Sequence, residues 1–264
     1  MAVIFYLSGT GNSLYAAKSI VQELGECRLE GITSYLKAPY EVQDEVVGIV
    51  CPVHCMALPP VVETFLQRVQ MVPQYVFLVV TMGALSGQAL GQGKELLQRR
   101  ELRLSYGAQV ALPDNSIVFP SSKARQEKML RDARFELGLV ARNITNRYDN
   151  YEHLSRSMVW KNGGTAIGWW VLEKIKQCGR LSCAQSKCVG CGICAEVCPT
   201  GNITIEGGKP VFSGDCVHCF GCAHWCPQQA ISLGSLTPDL KTRYTHPEIT
   251  PAELAVQKER NDES

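Results

Sequence analysis

Two stretches of sequence decide the reading: Cys188-Val-Gly-Cys191-Gly-Ile-Cys194-Ala-Glu-Val-Cys198-Pro199, and then Cys216-Val-His-Cys219-Phe-Gly-Cys222-Ala-His-Trp-Cys226-Pro227. Each is Cys-x2-Cys-x2-Cys-x3-Cys-Pro, and every cysteine of the first recurs 28 positions on. Thiolates this close on a turning backbone converge on the irons of one cubane cluster, while the fourth swings away to the other. The spacing predicts one [4Fe–4S] centre on Cys188, Cys191, Cys194 and Cys226, and a second on Cys216, Cys219, Cys222 and Cys198. A pair of zinc sites is the competing reading. Zinc sites favour one isolated Cys pair facing another, rather than two crossed runs each closed by proline. This stretch is expected to carry electrons.

The rest of the chain sets the context. Its 264 residues suffice for one medium and one small domain. Apolar residues make up 45% and charged residues 19%, with a formal net charge of +1. That balance argues against a broad basic footprint for nucleic acid. Eight of the thirteen cysteines sit at cluster-ligand spacing, which calls for reduced thiolates and a reducing compartment. Met1-Ala-Val-Ile-Phe-Tyr-Leu runs into an apolar strand without a basic leader or small-residue cleavage site. The most apolar stretch, Tyr75 to Val80, is too short for a membrane span. A cytoplasmic protein is expected.

Residues 2–7 form a continuous apolar run, as in a strand buried on both faces of a parallel sheet. Ser8-Gly9-Thr10-Gly11-Asn12-Ser13 follows, then a helical pattern at Leu14, Ala17, Ile20, Val21 and Leu24. Strand, small hydroxyl- and glycine-rich loop and helix start together make an anion site, with backbone N–H groups and the helix dipole facing a phosphate. The plainer alternative is a tight strand–helix turn capped by Ser13 or Asn12. Leu14 stands where a dinucleotide fingerprint needs its third glycine, and no Gly-Lys-Ser/Thr completes a Walker loop.

Ser8 to Ser13 after a first strand resembles the phosphate loop of flavodoxins, which holds FMN. The alternation continues as that fold requires. Strands are expected near 27–29, 46–50, 75–80 and 104–112, with helices over 60–69, 87–100 and 122–148. The fold class is therefore α/β, a doubly wound parallel five-stranded sheet, followed by a small α+β ferredoxin domain. The resemblance implies that the loops after the second and third strong strands flank the isoalloxazine ring. Pro52, Val53 and His54 lie in one, and Thr81, Met82, Gly83 and Ala84 in the other. Flavodoxins often stack Trp or Tyr on the ring, and neither loop holds an aromatic residue. Residues 183–234 resemble a bacterial-type ferredoxin with two clusters. Together the two motifs resemble flavodoxin–ferredoxin fusion proteins of anaerobic bacteria and archaea. The expected division is an FMN domain over 1–148, a helical linker over 149–181, a two-cluster domain over 182–236 and a polar tail over 237–264.

Several residues admit plainer readings. Cys51 and Cys55 read as small core residues near a strand end. His54 either contacts the flavin or is solvated. Asn115 reads as a turn residue, Trp169 and Trp170 as packing of a linker helix, and Cys178 and Cys183 as free thiols. His218, His224 and Trp225 read as spacers, since no cysteine ligand is missing. Gly207-Gly208 suggests a small hairpin, and Thr250-Pro251-Ala252-Glu253 a helix cap. The implied function is electron transfer between the clusters and FMN, serving unidentified donor and acceptor proteins. The alternative is an iron–sulfur flavoenzyme that reduces a small-molecule acceptor.

Overall fold

A computed structural model describes residues 1–114, 121–154, 181–233 and 243–259. Asn115, Trp169, Trp170 and Cys178 lie outside the described residues. Five parallel strands form the main sheet: β1 (Ala2–Tyr6), β2 (Cys27–Gly31), β4 (Val46–Pro52), β6 (Tyr75–Met82) and β7 (Tyr106–Ala111). Two-residue strands β3 (Glu41–Val42) and β5 (Gln70–Met71) pair with each other, apart from that sheet. The order β2-β1-β4-β6-β7 is the doubly wound, flavodoxin-like arrangement, which reverses direction next to β1.

Period-two alternation sends successive residues of β1 to opposite faces. Ile4 and Tyr6 enter the layer under α1 (Asn12–Leu24) and α5 (Lys123–Thr145). Val3 and Phe5 enter the layer under α3 (Pro60–Arg68) and α4 (Ala89–Gln98), which also takes residues of α2 (Ile32–Lys37). Both layers are apolar, so β1, β4 and β6 read as continuous hydrophobic runs rather than alternating ones. The short helix α2 was not expected from the sequence, because six residues carry too little periodicity.

The cysteine-rich segment contains two small antiparallel pairs. β8 (Leu181–Cys183) pairs with β11 (Ile231–Leu233), and β9 (Ile203–Glu206) with β10 (Lys209–Phe212). Gly207 and Gly208 both take positive φ, the conformation that a two-residue hairpin turn demands. One-turn helices Ile193–Glu196 and Gly221–Trp225 carry the middle of each cysteine run. Their own buried apolar cluster is small: Cys194 and Cys222 with Ile203, Ala223 and Ile231. Val197 and Ile193 instead reach the α1–α5 layer, so this segment borrows core from the large sheet.

Residues 243–259 tie the two parts together. The helix Pro251–Ala255 has a full capping box, with the Thr250 hydroxyl accepting from Glu253 N–H and the Glu253 carboxylate accepting from Thr250 N–H. Ile249 and Leu254 pack into the α1–α5 layer. Gln257 is buried, and its amide accepts from Ser8 N–H at 3.0 Å and donates to Ser8 C=O at 2.9 Å. Its own carbonyl accepts from the Thr33 hydroxyl and lies where a side chain on Gly31 would stand, only 1.6 Å from the ideal β-carbon. Lys258 Nζ donates to Ala195 C=O and Glu196 C=O, which closes the strap onto the first cysteine run.

Gln257→Ala leaves two buried main-chain groups of Ser8 unmet. Each unsatisfied group costs about 1–3 kcal/mol, so the variant should unfold at clearly lower denaturant than wild type. Coincident denaturation curves would show that the Gln257 amide does not hold the strap.

Candidate functional site

The polar pocket lies at the carboxyl ends of the strands, beside the point where strand order reverses. It is lined by Ser8, Gly9, Thr10, Asn12, Ser13, Pro52, Val53, His54, Thr81, Met82, Gly83, Pro113, Asp114 and Cys219. The structure thus brings together every residue expected around FMN except two. Gly11 lies behind the loop, and Ala84 falls outside the pocket. Pro113, Asp114 and Cys219 are additions. The first two come from the turn after β7. Cys219 arrives from far along the chain, and no local sequence signal could have placed it there.

The loop itself is stiffly held. The Ser13 and Thr81 hydroxyls share a hydrogen bond of 2.8 Å, and Asn12 Nδ2 donates to Pro113 C=O at 2.9 Å. Tyr244 donates its hydroxyl to Asn12 Oδ1 at 2.8 Å, and His246 N–H donates to Thr10 C=O at 2.8 Å. The Ser8 hydroxyl is buried without a hydrogen-bond partner. Gly11, the residue before α1, has φ 102° and no side chain to cap the helix. An orphan hydroxyl and uncapped N–H groups at a helix start fit an anionic phosphate. Among the described residues no Lys or Arg lines the pocket, so dipoles and hydroxyls are the groups there that would hold such an anion.

The glycines have a second cause beside the one the sequence suggests. A β-carbon on Gly9 would stand 2.8 Å from the Cys219 carbonyl oxygen, and one on Gly11 would stand 2.9 Å from His246 Cβ. Both clear a path for the chain's own cysteine turn and strap. Close approach to a phosphate is not needed to explain them.

The eight cysteines fall into two hollows. Cys188, Cys191, Cys194 and Cys226 line one, floored by Ile193, Ile205 and Ile231. Cys198, Cys216, Cys219 and Cys222 line the other, with Leu181, Ile203 and Phe220. This is the crossed grouping expected from the spacing. Among the described residues, no three His, Cys, Asp or Glu side chains converge as ligands of a single metal ion.

The two runs share one backbone trace. Gly190 and Gly192 take positive φ, and so do their counterparts His218 and Phe220. Non-glycine residues in that region carry a cost of about 1–2 kcal/mol each. His218 and Phe220 are therefore more than spacers, because they hold a turn that glycine would adopt freely. His218 N–H donates to Cys216 Sγ at 3.3 Å and Ala230 N–H to Cys226 Sγ at 3.2 Å, contacts that tune a cluster's potential.

Burial opposes ionisation of Cys194, Cys216, Cys219 and Cys222. It raises Cys194 to about 11 and Cys219 to about 12, with neighbouring thiols adding to the rise. Cys222 is pushed up well beyond the ordinary thiol range for the same reasons. Cys188 goes the other way, lowered first by the Gly190 N–H. Iron bound by these thiols would supply the missing positive charge and make the thiolates the stable form. Cys183, read from the sequence as a free thiol, hydrogen-bonds Cys188 and so sits beside the first hollow. Cys51 is fully buried in the sheet and Cys55 sits at φ 48° in the loop after β4.

Two histidines border the loop. His54 is lowered to about 4 by burial and by His218 across from it. His246 is lowered to about 4 by burial, stacks on Tyr15 at 4.0 Å, and leaves Nε2 buried without a hydrogen-bond partner. His224 accepts at Nδ1 from Tyr244 N–H, and the Trp225 indole donates to Gly9 C=O at 3.1 Å. Sequence reasoning missed these roles because every partner is remote in the chain.

The 4Fe-4S binding domain family matches residues 185–204. That match supports at least one [4Fe–4S] cluster. No curated protein matches the chain. Among solved structures, a candidate flavoprotein from Bacteroides uniformis is similar at 16% identity and a TM-score of 0.32, over 42% of this chain and 88% of that one. The Trp repressor binding protein from Bacillus subtilis is similar at 11% identity and a TM-score of 0.36, over 51% and 96%. Among the described residues, no helix is long and apolar enough to cross a membrane.

His246 gives the fold an acid limit. Its folded value near 4 lies below the ordinary 6.5, so the unfolded chain binds the proton first. Stability is then full above pH 6.5 and falls towards pH 4, by up to about 3 kcal/mol. His246→Gln should flatten this slope when unfolding free energies are compared at pH 7 and pH 4.5. Equal slopes would place the acid limit elsewhere.

Proposed function

We propose that this protein transfers electrons between two [4Fe–4S] clusters and an FMN, and so couples one-electron to two-electron redox partners. The observation that carries the reading is Cys219, whose turn walls both the polar pocket and the second four-thiol hollow. FMN exchanges one or two electrons, and each cluster exchanges one. The chain's own residues supply position and environment. Ser8, Thr10, Ser13 and the start of α1 would hold the phosphate. Pro52, Val53, His54, Thr81, Met82 and Gly83 would border the ring. The eight cysteines would hold the clusters in the crossed sets described above. The donor and acceptor are redox proteins of unassigned identity.

A second reading, a flavoenzyme acting on a small molecule, is favoured by one feature. No Phe, Tyr or Trp lines the pocket among the described residues, which leaves space beside a ring. Saturable turnover of a purified small acceptor by the chemically reduced protein would support it.

Cofactor content after anaerobic purification tests the main reading. One FMN with about eight irons is expected, as two four-iron clusters require. Cys194→Ala should retain only about half the iron. An unchanged iron count in that variant would sink the ligand assignment, and iron without any FMN uptake would sink the relay.

A further inference from the structure

The two four-thiol hollows are not equivalent in their surroundings. The second touches the polar pocket directly: a β-carbon on Gly9 would stand 2.8 Å from Cys219 C=O and 3.3 Å from its Sγ. The Trp225 indole donates to Gly9 C=O, and Gly221 packs against that same carbonyl. Among the described residues, the only cysteine in the pocket wall belongs to this second set. The first hollow is turned to solvent instead. Cys191 is the one exposed thiol of the eight, and its neighbour Val189 is 66% exposed.

We propose that the centres work in a fixed order. The centre held by Cys216, Cys219, Cys222 and Cys198 exchanges electrons with FMN, and the centre held by Cys188, Cys191, Cys194 and Cys226 exchanges them with an external one-electron redox protein. This rests on the two-cluster, one-FMN reading and adds to it a sequence of steps and a port. In the reducing direction one electron leaves the external protein, which is oxidised, and reduces the first centre. The first centre is reoxidised as the second is reduced, and the second is reoxidised as FMN gains that electron. A second electron follows the same route, and the opposite flow reverses each step. Each transfer moves one electron and leaves both sets of thiolates bound.

Full-length anaerobic holoprotein is treated with bathophenanthroline disulfonate while released iron and bound-flavin fluorescence are followed together. Quenching of a flavin by electron transfer falls steeply with separation, so fluorescence reports the nearer centre. The first half of the iron should leave without a change in fluorescence, and the second half should bring a several-fold rise. Cys191→Ala, which retains the second centre, should show only the later phase. Cys216→Ala, which retains the first centre, should be bright from the start. A rise accompanying the first half of the iron, or one phase in which all the iron and the fluorescence move together, overturns the order. So does a Cys216→Ala protein as dark as wild type. Should Cys216→Ala not fold, the wild-type and Cys191→Ala traces decide between the same outcomes. Protein that takes up no FMN defeats the underlying reading, whereas protein with FMN and both clusters but the wrong phases defeats the order alone.

Discussion

Two main-chain segments more than two hundred residues apart lie in van der Waals contact where Gly9 meets Cys219, and the arrangement of the whole site depends on that contact. Any side chain at Gly9 would meet the Cys219 backbone and sulfur. The contact is reinforced by the Trp225 indole on the Gly9 carbonyl, and by the strap that holds Ser8 on one side and Thr10 on the other. Main chain packed against main chain leaves no room for a flexible side chain to absorb error. The two motifs are consequently parts of one body, with a common apolar layer into which Val197, Ile249 and Leu254 all pack.

Electrostatics gives the cysteine segment a use for bound metal beside its neighbours. A small apolar cluster of five buried residues, two of them cysteines, is a poor core for a segment of this length. Buried thiols raised by desolvation and by one another remain protonated and mutually indifferent. Bound iron would convert the same groups into cross-links, releasing protons as it binds. The N–H groups of His218 and Ala230 would then meet sulfur that carries charge, and such bonds are stronger than those to a neutral thiol.

Much of this was legible in the sequence, for reasons that differ by element. Strands β1, β4 and β6 announce themselves because burial on both faces requires unbroken apolar runs, as at Tyr75 to Val80. The crossed sets of cysteines were legible because spacing along a turning chain is a local property. Gly207-Gly208 was legible because a tight hairpin turn selects glycine. The strap was not, since Gln257 looks like any polar tail residue until its amide is seen spanning the Ser8 main chain. Gly9 and Gly11 were read as serving a ligand, while the structure gives them a second reason in Cys219 and His246. His218 and Phe220 hide a backbone requirement, because neither residue type signals a left-handed turn.

The span from Ser8 to Gln257 also sets a timetable for biosynthesis. The loop after the first strand leaves the ribosome well ahead of the strap, and the amide that satisfies its main chain is made some 250 residues later. Until then the nascent chain carries that loop with its N–H and C=O groups dependent on water. Both cysteine runs emerge before Gln257 does, so iron can be loaded before the strap closes. On this schedule the last turn of described chain acts as a latch, completing the earliest loop only after the metal-binding segment has been made.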